Sequence, residues 1–112
     1  MKRSSRLSKT NDIDRVRKKG RSYANKHIVL GVLSNQIEEN RIAVIAGRSV
    51  GNAVQRNLAK RRIRSACLSL QECIDKGFDL VIIAKKQLLD VDYSVLRSSL
   101  EMLFIRAGLM KD

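Results

Sequence analysis

The chain contains no proline and no tryptophan, one histidine and two cysteines, and its aromatic residues make up only 4% of it. Each scarcity closes off a class of protein. With so few aromatics, the core must be built from Leu, Ile, Val and Ala. A metal centre needs more ligands than Cys67, Cys73 and His27 can offer. The two cysteines lie six apart on a predicted helix, about 120° apart around its axis, so they are poorly placed to bond to each other. Two buried free thiols suit a reducing compartment. No apolar run approaches the length that crosses a bilayer. The opening Met1-Lys2-Arg3-Ser4-Ser5-Arg6 is short and charged, and Ser8 to Asp12 is polar, so no secretory signal is expected and the chain is expected in the cytoplasm.

Acidic residues are the other shortage. There are 11 Asp and Glu against 23 Lys and Arg, a formal net charge of +12 over 112 residues. That excess is larger than solubility requires. It implies a polyanionic partner, with nucleic acid ahead of an anionic membrane surface. No long apolar helix edged with Lys and Arg supports the membrane alternative. The length suits one domain with one core.

Read in order, residues 1–6 form a basic arm expected to be mobile. A short helix follows, with Thr10 or Asn11 as its cap and Asp12 and Asp14 in its first turn. Lys18 and Lys19 fall in its last turn, and Gly20 at the stop. Its few apolar residues, Ile13 and Val16 with Leu7 ahead, suit a helix docked on something larger. Residues 26–34 and 41–46 read as strands joined by a polar turn, hence as antiparallel neighbours. Gly31 marks a bulge or a close approach by another chain, and His27 reads as a strand-edge residue. A long helix is predicted over 52–75, capped by Ser49 or Asn52 and stopped by Gly77. Residues 78–84 read as a buried strand ending at Lys85-Lys86. Asp90 or Asp92 opens a last helix with Leu96, Leu100, Leu103 and Ala107 in one stripe, ended by Gly108. The expected fold is one α+β domain of order α-β-β-α-β-α over 7–112, with helices packed on a small sheet.

The most informative stretch runs from Gly47 to Arg64. It starts with glycines and small polar residues and becomes dense in arginine and lysine. At 100° per residue, Ala59, Ile63, Ala66, Cys67, Leu70 and Ile74 share one stripe. Asn57, Lys60, Arg61 and Arg64 share a neighbouring arc. The helix can therefore pack its later turns on a core and present a cationic edge. Arg56–Lys60 and Lys60–Arg64 are like-charge pairs that cost an isolated helix about 0.2–0.5 kcal/mol each. A negatively charged partner would remove that repulsion.

No constellation for chemistry is visible. A nuclease needs clustered acids for metal, or an acid–base pair. The acids here are scattered, and each has a structural explanation. Gly47-x-x-x-Gly51 lacks the Gly-Lys-Ser/Thr ending of a phosphate-binding loop.

Val50-Gly51-Asn52-Ala53-Val54, followed by Arg56-Asn57 and Lys60-Arg61-x-Ile63-Arg64, resembles the signature of the bacterial ribonuclease P protein subunit. The resemblance extends from about Arg6 to Gly108. One position departs from it, since Leu58 stands where the family pattern has the second arginine of Arg-Asn-Arg. The resemblance implies an accessory subunit of a ribonucleoprotein endonuclease that removes the 5′ leader of precursor tRNA. The hydrolysis would be done by the RNA, with Mg2+ held mainly by that RNA. It implies no catalytic residue in this chain, no metal bound by the protein alone and no required protein partner. It also implies a left-handed β-α-β crossover, against the general right-handed rule. Carried over by position, Arg48, Asn52, Arg56, Asn57, Lys60, Arg61 and Arg64 would face the catalytic RNA. Ile13, Arg17, Lys85 and Lys86 would face the leader. The family often places aromatics on its first helix, where this chain has Ile13 and Arg17; Tyr23 is the nearest aromatic, of unassigned direction. A ribosomal-type RNA-binding protein with no processing role would share size, charge and fold class, and a DNA-binding module would share the basic helix.

Overall fold

A computed structural model describes residues 6–111. The elements are helix α1 (Thr10–Lys19), strands β1 (Arg21–Ala24), β2 (Ile28–Ser34) and β3 (Arg41–Ala46), helix α2 (Ala53–Leu70), strand β4 (Phe78–Ala84) and helix α3 (Tyr93–Arg106). The four strands form one sheet in the order β1-β2-β4-β3. Of the basic arm expected over 1–6, residues 1–5 lie outside the described part, and Arg6 forms a bridge to Ile42.

β4 organises the sheet. Its run Phe78-Asp79-Leu80-Val81-Ile82-Ile83-Ala84 is buried at most positions on both faces, as a central strand must be. It pairs antiparallel with β2 and parallel with β3. This corrects the expected pairing of residues 26–34 with 41–46. Those strands do run in opposite directions, but β4 lies between them. A short connection makes pairing available, and burying β4 between two strands is more favourable than leaving so apolar a strand at an edge. The order also contains a strand that the sequence pattern does not reveal. β1 has four residues, exposed but for half-buried Tyr23, so it carries almost no periodic signal. It is held by its register with β2, Arg21 opposite Val32 through Ala24 opposite Val29.

The faces of the sheet are covered unequally. Ile28, Leu30, Val32, Ile42, Leu80 and Ile82 point into the larger core with α2 and α3. From α2 this core takes Ala59, Ile63, Ala66, Cys67 and Leu70, and from α3 it takes Leu96, Leu100, Leu103 and Phe104. On the other face only α1 packs, placing Val16 with Leu7, Ala43 and Val81. Gly31 is opposite Val81 in unbroken register, so it is no bulge; a Cβ there would come within 3.2 Å of Val16 Cγ1. The glycine lets the helix approach the sheet. Gly20 is also a close-approach residue, with φ −78° rather than a left-handed turn. A Cβ on it would lie 2.5 Å from the carbonyl oxygens of both Val16 and Val32.

Several boundaries differ from expectation. α1 starts after Lys9, whose ammonium cannot accept from the first-turn amides, so it has no side-chain cap, and the expected caps Thr10 and Asn11 lie inside the helix. α2 ends at Leu70 in a short 3-10 turn, before the expected stop at Gly77, because Ile74 bridges to Met110. Cys67 is buried, and its thiol is pushed up to about 12 by desolvation. Cys73, beyond the helix, is exposed, contrary to the expectation of two buried thiols. His27 sits in the β1–β2 turn with Nδ1 3.1 Å from Ser99 Oγ.

One carboxylate fixes α1, β3 and β4 together. Asp79 is the only buried charged residue among those described. Arg41, its partner in the β3–β4 register, donates from Nε at 2.8 Å and from Nη2 at 2.7 Å. Asn35 donates at 3.0 Å, and Arg15 of α1 lies at 3.7 Å. Burial alone would push the Asp79 carboxyl up. The hydrogen bonds from Arg41 and Asn35, and the charges of Arg41 and Arg15, outweigh burial and hold it below the usual range. A carboxylate with a lowered folded pKa contributes its full stability above the unfolded pKa, and loses it as pH falls through the folded value. Asp79→Asn is expected to cost about 2–4 kcal/mol near neutral pH, somewhat less than a fully enclosed pair would lose, because the arginines keep some solvent. The gap between wild type and variant should narrow as pH falls below about 4 in denaturant melts. A gap that stays constant down to strongly acidic pH would show that Asp79 acts through packing and not through its charge.

Candidate nucleic-acid interface

The Gly51-Asn52 pair sets where α2 begins. Asn52 is the N-cap, its side chain accepting from Gln55 N at 2.9 Å, while Gln55 Oε1 accepts from Asn52 N at 2.9 Å. This reciprocal cap satisfies two otherwise orphaned donors. Gly51 has φ +146°, and a Cβ there would clash with the Gln55 side chain at 2.0 Å. Val50, just before, is buried in the large core. The motif thus pins the first turn of α2 to the end of β3. Asn52 serves chiefly as this cap, with its side-chain amide nitrogen still open to a ligand.

Beyond the cap, α2 presents one cationic surface. Asn57, Lys60, Arg61 and Arg64 surround an open depression of about 450 Å³ together with Val54. The predicted arc is therefore one continuous surface. Val54 was not anticipated because an apolar residue ahead of a basic run reads as core. Its spacing from Asn57, Arg61 and Arg64 places it on their face, and it is 77% exposed. No acidic residue occurs between Asn52 and Gln71. Among the described residues, the ion pairs are confined to Arg15, Arg41 and Arg97, so the α2 cations have no acidic partner. Arg56 is half-buried beside this surface and outside the depression, and Leu58 is half-buried outside both apolar cores.

A second feature lies on the α1 face of the sheet. α1 crosses from the β3 edge, where Leu7 N bonds Ile42 O at 2.9 Å, to β2, where Gly20 rests on Val32. It covers the row Ser22-Gly31-Val81-Ala43. The next row, Ala24-Val29-Ile83-Ile45, is set by register and lies only partly covered. It forms an apolar floor four strands wide. Ile13 stands at its wall and, with Arg6, Leu7, Ile45 and Arg64, lines a groove of about 210 Å³ beside β3. Arg17, one helical turn on, is exposed on the same side of α1. Floor residues such as Val29 and Ile83 escaped the sequence reading because a continuous apolar strand does not say which face is left open.

The opposite wall is the end of the sheet. Ala46 of β3 is in register with Ala84 of β4. Arg48 and Lys86, each two residues further on, are exposed there. Lys85 is not equivalent to Lys86. Its Nζ donates to Asn25 O at 2.8 Å and its backbone N to His27 O at 2.9 Å, so it also holds the β1–β2 turn. Tyr23 pairs with Leu30 and packs against the larger core, so its ring faces away from the floor.

Among the described residues, no three of His, Cys, Asp and Glu come together as a metal site. Among the described residues, no helix is long and apolar enough to cross a membrane.

The chain as a whole is similar to known proteins. A sequence model of the family described as Ribonuclease P matches residues 1–108. The ribonuclease P protein component of Bacillus cereus is 38% identical over 112 residues, covering 99% of this chain and 97% of that protein. The solved RNase P protein of Staphylococcus aureus superposes with a TM-score of 0.87 at 30% identity, covering 96% of this chain and 98% of that one. That of Thermotoga maritima superposes at 0.83, also at 30% identity, with 90% and 96% covered. Matched along nearly its whole length in sequence and in fold, the chain belongs to the ribonuclease P protein family.

Proposed function

We propose that this chain is the protein subunit of a ribonuclease P, binding the catalytic RNA through α2 and the 5′ leader of precursor tRNA through the sheet floor. The observation that carries this is the surface of Asn57, Lys60, Arg61 and Arg64, cationic and without acidic partners, on a chain of this family. Arg48 and Arg56 extend it, and Asn52 holds its first turn. Contacts of this kind go to phosphates and supply affinity with little sequence information. The RNA performs the hydrolysis, with Mg2+ held mainly by that RNA. Among the described residues, no three of His, Cys, Asp and Glu lie together to hold the ion. Its compartment is that of tRNA maturation, the cytoplasm.

The leader lies across the floor of Ala24, Val29, Ile83 and Ile45, between Ile13 and Arg17 on one wall and Arg48 and Lys86 on the other. Lys85 takes part through the turn it anchors. No aromatic ring faces this floor. The grip is therefore charge plus van der Waals contact with aliphatic side chains, and Arg17 supplies both a planar face and a charge.

Reconstitution with the cognate catalytic RNA at low magnesium should give leader cleavage only when both components are present; cleavage by the chain alone would overturn the assignment. Arg61→Ala should weaken RNA binding and flatten the slope of log affinity against log salt by about 0.7–0.9. Its melting temperature should hardly move, since the side chain is exposed. A lower melting temperature with unchanged RNA affinity would show a structural role instead. On the leader, Arg17→Ala should weaken binding and flatten the salt slope. Ile13→Phe should tighten binding by up to about 1–3 kcal/mol through stacking, with the slope unchanged. If Arg17→Ala alters neither affinity nor slope, the leader does not pass along α1.

A further inference from the structure

Arg64 belongs to two surfaces. It lines the cationic depression on α2 with Asn57, Lys60 and Arg61, and it lines the groove beside β3 with Arg6, Ile13 and Ile45. α2 packs on one face of the sheet and α1 on the other. β3 is an outer strand, so a long side chain from α2 can reach past its edge toward the α1 side. The groove is therefore where the α2 surface and the floor communicate.

The groove has the chemistry of a site for a passing phosphodiester. Leu7 N donates to Ile42 O, so Ile42 turns its backbone outward from the sheet, and Val44, two residues on, does the same. Among the described residues no backbone bond reaches Val44 from that side. Its N–H is an open donor in a groove that Arg6 and Arg64 also line. Neither arginine has an ion-pair partner among the described residues. Two guanidinium groups on one groove repel each other, and an anion held there removes the repulsion. At about 210 Å³ the groove is smaller than the roughly 300–1,000 Å³ of a small-molecule pocket, so it suits part of a chain rather than a whole ligand. Ile13 and Ile45 offer apolar surface to a sugar or a base. Charge beside an outer strand also discourages pairing with another chain. That accounts for a cation next to β3, but not for an apolar groove left open with two.

We propose that the leader crosses the β3 edge through this groove, with Arg6 and Arg64 on the phosphates nearest the scissile bond, so that it runs 3′ to 5′ from β3 toward β1. This rests on the leader reading above. The direction follows from chemistry and position. The scissile bond joins the leader's 3′ end to the tRNA, and the RNA that hydrolyses it is bound on α2. The floor meets the α2 surface at β3, whereas β1 is three strand spacings further on, roughly 14 Å. The 3′ end of the leader therefore lies at β3. Arg64 touches the catalytic RNA and the leader together, whereas Arg61 touches the catalytic RNA alone.

The test is binding of precursors by the reconstituted ribonucleoprotein, with single leader phosphates replaced by uncharged methylphosphonates. Wild type should bind a leader-bearing precursor more tightly than a leaderless one. It should lose about five- to tenfold when a phosphate nearest the scissile bond is neutralised. Arg6→Ala and Arg64→Ala should each reduce that sensitivity and together abolish it, while phosphates further upstream keep theirs. Arg64→Lys, which retains the charge, should keep most of it, and Arg61→Ala should leave it as in wild type. Arg6 is exposed, so Arg6→Ala should melt as wild type does. The proposal is overturned if the double variant keeps the wild-type sensitivity at the phosphates nearest the scissile bond, or if the sensitivity it loses lies at the 5′ end of the leader. An equal loss by Arg6→Ala on the leaderless precursor also overturns it, placing Arg6 on another RNA surface. If the leader gives wild type no gain over the leaderless precursor, the leader reading itself fails, and this inference fails with it.

Discussion

Everything in this fold is registered on β4, a strand that must be covered on both faces. Its Leu80 and Ile82 require the α2–α3 layer, and its Val81 requires α1. Its flanking strands fix where α2 begins, through β3, and where α1 ends, through β2. One polar residue interrupts the strand, and Asp79 is tolerated only because Arg41, Asn35 and Arg15 converge on it. The ionic cluster fastens one end of the α1 face of the sheet. α1 lies at that end and leaves the other end of the same face open. The open floor is thus a consequence of where the buried charge is.

The charge distribution follows the same division. Acids that pair do so internally or along α3, as with Asp12, Asp79 and Glu101. Of the other described acids, Asp14 is on α1, Glu38, Glu39, Asp75, Asp90 and Asp92 lie in turns or at helix ends, and Glu72 lies just past the C-terminal end of α2, away from its cationic first turns. What remains on α2 and around α1 is unpartnered positive charge, which repels itself in the free protein. The fold withstands this because its cores are apolar and nearly complete. Ile63, Leu80, Leu100 and Phe104 are all fully buried, each contributing about 1.5–3 kcal/mol over exposure. Uncompensated charge of this kind costs stability that RNA binding returns, which couples folding to assembly.

Much of this was legible in the sequence, and the failures have physical causes. The α2 stripe from Ala59 to Leu70 and the α3 stripe from Leu96 to Leu103 are helical periodicities over several turns, and both are buried as read. The Asn52 cap is local chemistry and stood as one of two candidates beside Ser49; its reciprocal partner Gln55 was not read. β1 was not, because four mostly exposed residues carry no period. The insertion of β4 between β2 and β3 was hidden because local spacing reports what can pair, not which pairing buries more. Gly20 and Gly31 were marked as special. The reason, backbone and side chain passing close to a sheet, belongs to tertiary structure. Burial of Cys67 but not Cys73 turned on a helix that stops one turn early.

The aliphatic floor bears on how such a subunit can serve many substrates. Aromatic stacking is tolerant of sequence but prefers certain bases, and it adds up to about 3 kcal/mol at a fixed position. Val29, Ile83 and Ile45 offer no such fixed position. On the proposed leader path they would exclude water beneath any base, while cations at the walls would hold the backbone. Affinity then accumulates along the strand, phosphate by phosphate, and is sensitive to salt and nearly blind to sequence. A protein that supplies no chemistry and must accept every precursor gains from that arrangement, because selectivity can be left to the RNA and to the tRNA body while the protein adds only grip. The absence of aromatics at Ile13 and Arg17 is then compatible with function, provided the track of charge is long enough to replace the energy that stacking would have contributed.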